Sequence, residues 1–462
     1  MSATNIVLFD RDRGEVHSGQ VRMAHRFAYC YADELLYVHG IGWHVWDGRR
    51  WSPDDSGAAR RAVVAVLRQG LADTAGIVDD DAKRLRKDVS RCESASGIAG
   101  VLEVAGSLAP MAAAARELDP DPFLLNCRNG TLDLRTNQLS AHNPADRITK
   151  CCAADYDPFA VSGLWTTFLE RVLPNPDIRD YLQRLIGVSL RGNVIEHILA
   201  ILTGTGANGK STFYEAICGA LGDYASTAEP DLFMHRQGAH PTGEMDLQGR
   251  RLVVVSESDR DRRLAEATVK RLTGGDRIRA RRMRENFVEF APSHTPLLIT
   301  NHLPKVSADD PAVWRRLRVI PFDVEIPGPE RDKTLHDRLQ QEHTAVLAWA
   351  VAGHAAYQRR GDLDEPDGVL AATDRYRTDS DAVARFIADR CVTTSPALKA
   401  TTSQLHAEWA RWAVEDGSEP MSQRGFGLAL DRLGYPVTSR TTAGRWRDGI
   451  ALLEMTHDAN DA

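Results

Sequence analysis

Residues 198–211 read Ile-Leu-Ala-Ile-Leu-Thr-Gly-Thr-Gly-Ala-Asn-Gly-Lys-Ser, an apolar run that passes directly into a complete GxxxxGK[ST] pattern. The apolar run predicts a buried strand, and the residues from Ser211 onward predict a helix. Glycines in such a turn let successive backbone N–H groups face phosphates, and the N-terminus of the helix adds positive potential. Lys210 would contact the β- and γ-phosphates, and Ser211 would offer its hydroxyl to Mg²⁺.

This pattern therefore predicts a site for ATP and Mg²⁺, with a chance glycine-rich turn as the alternative. The residues predicted to contact the nucleotide are Gly204, Thr205, Gly206, Ala207, Asn208, Gly209, Lys210, Ser211 and Thr212.

Two further apolar runs, Leu252–Ser256 and Pro296–Thr300, are separated from the first by helical patterns. This spacing predicts an α/β fold with a parallel sheet, and ligands bind at the carboxyl ends of such strands. Glu257 is our choice for the acid that activates water. Asp259 is the second candidate and a predicted Mg²⁺ contact, and Asn301 would hydrogen-bond the attacking water or the γ-phosphate. The alternative is a pair of buried strands that enter polar loops.

Two adjacent arginines, Arg315 and Arg316, follow Trp314 shortly after the third apolar run. A planar guanidinium directed at a γ-phosphate from a neighbouring subunit stabilises phosphoryl transfer. Because only eight of the 57 basic residues are Lys, a pair of arginines in this chain is also compatible with ordinary surface charge.

Positive charge is concentrated between the acid and Asn301. Residues 260–289 hold ten basic and five acidic side chains, whereas the whole chain has a net charge of −7. Basic and apolar residues alternate at first, as in a half-buried strand, and Glu285-Asn286 could turn the chain into a partner strand at 287–290. The predicted DNA contacts are Lys270, Arg277, Arg279, Arg281, Arg282 and Arg284, with a solvated surface or an intersubunit salt-bridge network as the alternative.

Elsewhere the sequence predicts helices at Ala58–Gly76 and Ala95–Leu118 and a hairpin turn at Asn129-Gly130. The acidic segment 362–368 is interpreted as a linker. Beyond it, two helices, Ser403–Val414 and Gln423–Leu433, precede a basic hairpin through Arg445-Trp446-Arg447, which suggests a winged-helix DNA-binding fold. A helical oligomerisation cap is the alternative for this region.

No apolar stretch approaches the ~20 residues of a membrane span, and the first residues do not resemble a secretory signal. We therefore expect no membrane partner and a cytoplasmic location, which would be the bacterial host cytoplasm if a phage encodes the chain.

Taken together, the loop 204–211, Glu257, Asn301 and the Trp-Arg-Arg sequence at 314–316 resemble the viral superfamily 3 helicases, a branch of the AAA+ ATPases, and specifically the phage and plasmid primase–helicase family. The segments 269–276 (VKRLTGGD) and 314–322 (WRRLRVIPF) look like signatures of that family. Upstream, residues 125–134 (LNCRNGTLDL) resemble its helicase-associated N-terminal module.

The resemblance implies a helicase-associated module at 1–160, a superfamily 3 AAA+ domain at 161–360, and a linker with a winged-helix-like domain at 361–462. It implies Lys210 and Ser211 as Walker A residues, Glu257 as the Walker B acid and Asn301 as sensor 1. Arg316, or Arg315, would be an arginine finger that acts in a neighbouring subunit of a ring, usually a hexamer.

These features predict an ATP-dependent DNA helicase for phage or plasmid replication that acts on single-stranded DNA at a replication fork or origin. Primase activity is not expected, because no paired carboxylates for polymerase metals are evident ahead of Leu125, and a separate primase is a candidate partner. The alternative is an ATP-switched origin-binding or packaging protein that assembles on DNA without unwinding it. A small-molecule kinase is disfavoured, since it has no need for the basic hairpin.

Overall fold

A computed structural model describes residues 17–76, 79–235, 241–257, 262–280, 288–306, 310–418, 421–442 and 444–453. The first part of the chain is a mixed α/β unit, in which helices enclose a core around Met23, Phe27 and Val63. Four short strands form a sheet in the order β3-β2-β1-β4. The elements are α1 (Gly19–Tyr31), β1 (Leu35–Val38), β2 (Gly42–Trp46), β3 (Trp51–Pro53), α2 (Ala58–Asp73), α3 (Asp79–Cys92), α4 (Ala95–Ala105) and β4 (Ala112–Ala113).

The helix predicted at Ala95–Leu118 is shorter than expected, because it ends at Ala105 and the chain then forms β4. Gly106 and Pro110 explain the early end, since glycine weakens a helix and proline removes a backbone donor. The helix predicted at Ala58–Gly76 is confirmed as α2 followed by a 3₁₀ turn.

A three-stranded meander, β5 (Leu124–Cys127), β6 (Gly130–Asp133) and β7 (Gln138–Ser140), follows the first unit. The predicted hairpin is confirmed, but its position differs by one residue. Cys127 pairs with Gly130, so the two-residue turn is Arg128-Asn129.

The centre of the chain is a five-stranded parallel sheet in the order β14-β8-β13-β10-β9. Its strands are β8 (Leu199–Thr203), β9 (Ala225–Ala228), β10 (Leu252–Glu257), β13 (Thr295–Thr300) and β14 (Leu317–Pro321). Alternate residues face two cores: Ala200 and Val254 lie in one, Ile201 and Val253 in the other. Burial on both faces explains why these strands are continuous apolar runs rather than alternating ones. The three predicted strands and their parallel arrangement are confirmed.

The other elements of this central body are α5 (Gly163–Val172), α6 (Pro176–Ser189), α7 (Lys210–Leu221), α8 (Glu266–Leu272), β11 (Ile278–Ala280), β12 (Val288–Phe290), α9 (Pro311–Trp314), α10 (Leu335–Leu339), α11 (His343–Arg360) and α12 (Asp367–Ser380). Helices α6 and α11 touch backbone to backbone. A Cβ atom on Gly187 would lie 2.1 Å from the nitrogen of His354, and one on Gly353 would lie 2.0 Å from the carbonyl oxygen of Gln183.

The segment predicted as a linker leads into a helix that packs on the sheet. The Thr373 hydroxyl of α12 accepts a hydrogen bond from the backbone of Val319 in β14 at 3.0 Å. The ring of Tyr376 meets Trp314 edge-on, with centroids 5.1 Å apart. Residues 367–380, beyond the expected boundary at 361, therefore pack with the central sheet.

The last part of the chain alternates helices and short strands around Phe386, Trp409 and Phe426. Its three-stranded sheet has the order β16-β18-β17. The elements are α13 (Ala382–Arg390), β15 (Cys391–Val392), β16 (Lys399–Thr401), α14 (Thr402–Asp416), α15 (Gln423–Arg432), β17 (Val437–Thr441), β18 (Gly444–Asp448) and β19 (Ala451–Leu452). None of the helices in the described ranges has both the length and the apolar character that crossing a membrane requires.

Candidate functional site

The loop that connects β8 to α7 lies at the carboxyl edge of the parallel sheet. Three of its residues have left-handed backbone angles: Gly206 (φ +110°), Ala207 (φ +49°) and Gly209 (φ +84°). At Gly209 a side chain would also collide with Val172, since a Cβ atom would lie 2.6 Å from its Cγ1. The chain curls tightly into α7, whose first N–H groups have no partner within the helix. This is the backbone geometry that binds phosphate.

Lys210, the first residue of α7, is 4% exposed. Its ammonium donates three hydrogen bonds: to the Gly204 carbonyl at 2.8 Å, to Asn208 Oδ1 at 3.0 Å and to Asn301 Oδ1 at 3.0 Å. All three acceptors are neutral. Burial lowers the pKa of Lys210 from 10.5 to about 8, because desolvation disfavours the charged form. An anion placed beside this ammonium would remove that penalty.

Asn301 is therefore in contact with the lysine of the loop. Its hydrogen bond to the attacking water or the γ-phosphate stays a prediction. Glu257 is the last residue of β10 and pairs in register with Thr300 of β13, so its backbone lies next to the residue that precedes Asn301. Asp259 lies outside the described residues. Ser211 is exposed in the first turn of α7, where its hydroxyl is accessible to a ligand of the loop.

The residues present fit a nucleoside triphosphate with its magnesium ion. The loop supplies backbone N–H donors and a buried cation for the phosphates, and Ser211 supplies a neutral oxygen for the metal. Within the described ranges, no group of three or more His, Cys, Asp or Glu side chains could hold a metal ion. A magnesium ion bound together with a nucleoside triphosphate takes phosphate oxygens among its ligands.

The two arginines that follow α9 lie at the opposite edge of the sheet. Leu317 of β14 pairs with Leu199, the first residue of β8, and the Leu199 N–H donates to the Arg316 carbonyl at 2.7 Å. From Leu199 to Thr203 the strand covers about 13 Å. Neither arginine can therefore reach phosphates bound to the loop of its own chain.

The side chains of Arg315 and Arg316 differ in their surroundings. Arg316 donates to the Ala312 carbonyl of the preceding α9 at 2.7 Å, and its Nε is buried without a partner among the described residues. Arg315 is exposed. Arg315 is therefore the more exposed of the two side chains, and which of them acts as an arginine finger stays open.

The basic segment forms the hairpin that its alternation predicted. β11 and β12 pair antiparallel, with Ile278 opposite Phe290 and Arg279 opposite Glu289. Ile278 and Phe290 are buried, whereas Arg279 is exposed. Arg277 is more than half exposed and forms an ion pair with Glu289 at 2.6 Å. The predicted contacts Arg281, Arg282 and Arg284 lie outside the described residues.

Lys270, predicted as a DNA contact, lies on α8 and is engaged within the chain. Its ammonium contacts Asp310 Oδ2 at 2.7 Å, and this hydrogen bond lowers the pKa of the Asp310 carboxyl. Asp310 also caps the N-terminus of α9 by accepting from the Ala312 N–H at 2.9 Å. Lys270 therefore stabilises the short helix that precedes the two arginines.

In the last part of the chain, the three basic residues expected on the hairpin are not equivalent. Arg447 is 2% exposed and contacts Thr402 Oγ1 at 2.9 Å, Asp431 Oδ1 at 2.6 Å and the Gly427 carbonyl at 2.9 Å. Arg445 is exposed and lies opposite Arg440 across the two strands. Only the latter pair presents charge to a ligand.

Sequence reasoning included Asn208 in the loop but gave it no role. Its side chain is 3% exposed and joins Lys210 to the backbone of Phe322. The only signal was an amide among small residues, and such a residue in a loop is usually interpreted as a turn former.

Comparison with known proteins adds two family matches. Residues 24–174 match a family described as "D5 N terminal like", and residues 202–316 match a family of unknown function (DUF5906). The second range includes the loop, Glu257, the hairpin and Asn301, and it ends at Arg316.

Several proteins of large DNA viruses are similar to the chain. "Putative helicase L207/L206" of Acanthamoeba polyphaga mimivirus is 25% identical over 86% of this chain and 46% of its own length. "Putative helicase 184R" of Invertebrate iridescent virus 6 is 24% identical over 74% of this chain and 40% of its own. "Putative primase C962R" of African swine fever virus (isolate Tick/Malawi/Lil 20-1/1983) is 23% identical over 68% and 35%. The chain spans less than half the length of these relatives.

Among solved structures, the apo form of the NrS-1 C terminal region has a TM-score of 0.43 at 10% identity, covering 64% of this chain and 77% of that chain. A similarity of this degree supports no conclusion about the fold or function of the chain. The N-terminal match and the viral relatives are the informative findings, and they support a relationship to a primase–helicase family of the D5 type.

Proposed function

We propose that the chain is an ATP-dependent DNA helicase with a P-loop AAA+ core of the superfamily 3 type, which works as a ring, in the simplest case a hexamer, on single-stranded DNA during replication. The observation that carries the proposal is the contact between Lys210 and Asn301 at the carboxyl edge of the sheet, beside the strand that ends in Glu257. A loop for phosphate, an acid and an amide at one edge are the groups that hydrolysis of a nucleoside triphosphate needs.

Each residue would have a separate task in hydrolysis. Lys210 would neutralise the β- and γ-phosphates, and Ser211 would hold Mg²⁺, which supplies further positive charge. Glu257 would accept a proton from the attacking water, and Asn301 would orient that water or the γ-phosphate. Electrostatic stabilisation of this kind is the main source of rate in phosphoryl transfer.

The need for a second subunit is supported by the position of the arginines. They lie at the start of β14, about 13 Å along the sheet from the carboxyl edge that would bind phosphate. An arginine finger from this chain would therefore complete the site of a neighbour, and its own site would be completed in the same way. Such a head-to-tail contact closes into a ring when the rotation allows it.

DNA contacts are proposed on two surfaces. The hairpin β11–β12 would hold single-stranded DNA through its arginines in the ring channel, independent of sequence. The C-terminal part would be a winged-helix-like domain with α15 as recognition helix and β17–β18 as wing. Its support is the succession of one helix, two short strands, two helices and three strands, with Arg440 and Arg445 opposite each other on β17 and β18.

The test is unwinding of a forked DNA duplex with ATP and Mg²⁺ by the wild-type chain and by Lys210→Ala and Glu257→Gln. Strand separation by the wild type alone is expected. Lys210→Ala should lose nucleotide binding, whereas Glu257→Gln should retain binding but hydrolyse ATP poorly, because an amide cannot accept the proton. Wild-type hydrolysis without strand separation would instead favour an ATP-switched protein that assembles on origin DNA, the second candidate, which the exposed Arg440–Arg445 pair supports.

A further inference from the structure

Within the loop between β8 and α7, Asn208 connects Lys210 to the residue that follows β14. Its Nδ2 donates to the Phe322 carbonyl at 3.0 Å, and its Oδ1 accepts from the Lys210 ammonium at 3.0 Å. The side chain is 3% exposed, so both ends of the amide are used away from water. Of the side chains of this size, only that of asparagine combines one acceptor with one donor at this length, because Asp has no donor and Leu has neither.

The amide of Asn208 and the Phe322 carbonyl lie directly against the backbone of Gly204. A Cβ atom on Gly204 would lie 2.2 Å from Asn208 Nδ2 and 2.4 Å from the Phe322 oxygen. Gly204 must therefore be glycine for the amide to reach across the loop. The tip of the loop is tied to the same segment a second time, since the Ile326 N–H donates to the Ala207 carbonyl at 2.9 Å.

Phe322 directly follows β14, the strand that begins after Arg315 and Arg316. β14 pairs with β8 without interruption from Leu317 to Pro321. At its far end the Phe322 N–H donates to the Thr203 carbonyl at 2.8 Å. One regular strand thus connects the arginines at one edge of the sheet to the amide of Asn208 at the other.

We propose that Asn208 is a positioning residue of the nucleotide site: it holds the Lys210 ammonium relative to the end of β14, and so links the phosphate-binding lysine to the strand that carries the arginines. This inference rests on the proposed function for its consequence in hydrolysis, but the positioning itself is a property of the nucleotide-free chain. Asn208 acts through Lys210, and its loss should leave the loop and the sheet intact.

A matched control exists in another part of the chain. Asn129 also uses both ends of its amide: its Nδ2 donates to the Tyr156 carbonyl at 3.0 Å, and its Oδ1 accepts from the Tyr156 N–H at 2.8 Å. Asn129→Leu therefore also removes one donated and one accepted side-chain hydrogen bond, but neither of them involves Lys210. A residue with a merely structural role should behave like this control.

The first measurement is the rate at which an amine-specific acylating reagent labels Lys210 in the nucleotide-free protein, read by mass spectrometry across a range of pH. Asn208→Leu should raise the rate at a given pH, because the neutral amine reacts and the variant removes an acceptor that favours the charged form. Asn208→Asp should lower the rate, because a carboxylate stabilises the ammonium. Asn129→Leu should match the wild type. Equal rates in wild type, Asn208→Leu and Asn208→Asp would overturn the proposal, and Asn208→Asp decides alone if the leucine variant does not fold.

The second measurement is ATP hydrolysis by the same proteins. Asn208→Leu should lower kcat by about 10- to 100-fold with a smaller change in KM, since a misplaced catalytic group costs rate more than binding. The alkaline decline of kcat/KM, which reports the free enzyme, should move to lower pH in Asn208→Leu and to higher pH in Asn208→Asp. Wild-type kcat in Asn208→Leu would overturn the proposal. A wild type that labels as expected but hydrolyses no ATP would reject the proposed function and not the positioning role.

Discussion

At the scale of the single residue, the most informative feature is a buried cation whose hydrogen-bond partners, in the part of the chain that the structure describes, are all neutral. Lys210 donates to a carbonyl and two amide oxygens, and its pKa is lowered from 10.5 to about 8 by burial. The folded chain without nucleotide therefore holds the ammonium at a cost. Sites that bind polyanions commonly retain such uncompensated charge, since the ligand supplies the counter-charge.

Replacement of this lysine should stabilise the empty protein. Because the folded pKa lies below the unfolded one, the cost is fully present below about pH 8 and disappears as the pH rises toward 10.5. Lys210→Met should raise the free energy of unfolding at pH 7, because it removes a charge that burial disfavours, and the gain should shrink toward pH 10. Denaturant unfolding at pH 7 and near pH 10 measures the effect, and a difference that does not shrink at the higher pH contradicts it.

The sequence was sufficient to predict the residues of the loop and the strand that Asn301 follows, because a continuous apolar run indicates a buried parallel strand. It did not predict the hydrogen bond from Lys210 to Asn301, which depends on β13 lying next to β8 in the sheet. It could not distinguish Arg315 from Arg316. The direction of each side chain depends on where α9 ends and β14 begins. Asp310 stabilises α9 as its cap, and Lys270 of α8 in turn contacts Asp310 from a distant part of the sequence. Non-local contacts of this kind leave no local pattern.

At the scale of the element, interior strands were predictable and edge strands were not. β8, β10 and β13 lie inside the sheet and are apolar throughout, whereas β9 and β14 are its edges. β9 consists of Ala, Ser, Thr and Ala, and β14 contains Arg318, which pairs with Glu365. An edge strand needs fewer apolar residues, so its sequence resembles a loop.

The hairpin β11–β12 should contribute to DNA affinity in a manner that depends on salt. Arg279→Ala should weaken binding of single-stranded DNA regardless of sequence and reduce the slope of log K against log salt by about 0.7, the share of one phosphate contact. Fluorescence anisotropy at several salt concentrations measures this slope. A slope equal to that of the wild type would place the DNA path elsewhere.

Arg445 and Arg447 lie two positions apart on β18, and their replacement should affect two different properties of the protein. Arg447 is buried among Thr402, Asp431 and Gly427. Arg447→Met should therefore destabilise the C-terminal part by about 3 kcal/mol or more, because Asp431 loses its ion-pair partner and the Gly427 carbonyl loses its hydrogen-bond donor. Arg445→Ala should leave thermal unfolding unchanged and weaken binding of duplex DNA. Unchanged DNA affinity in Arg445→Ala would argue that this part mediates assembly instead.

At the scale of the whole molecule, the separation between the loop and the arginines predicts complementation between subunits. Arg315→Ala and Lys210→Ala should each hydrolyse ATP poorly, with a loss of up to about 10³-fold for a missing arginine finger. Mixing them forms some interfaces in which an intact loop faces an intact arginine, so hydrolysis should exceed that of either variant alone. Arg316→Ala is the matched comparison. Failure of both mixtures, together with a monomer in sedimentation with ATP and DNA, would exclude a ring.

The backbone contact between α6 and α11 has a consequence for motion. Gly187 and Gly353 place the two main chains in direct contact, and a close-packed contact of this kind should resist displacement of one helix against the other. α11 also packs against the helix of the loop, where the ring of Trp349 meets Phe213 edge-on. During a cycle of nucleotide binding and release, this pair should be the stationary pivot, with its amide hydrogens exchanging slowest in the chain, while the loop and the edge strands around it change their exchange rates.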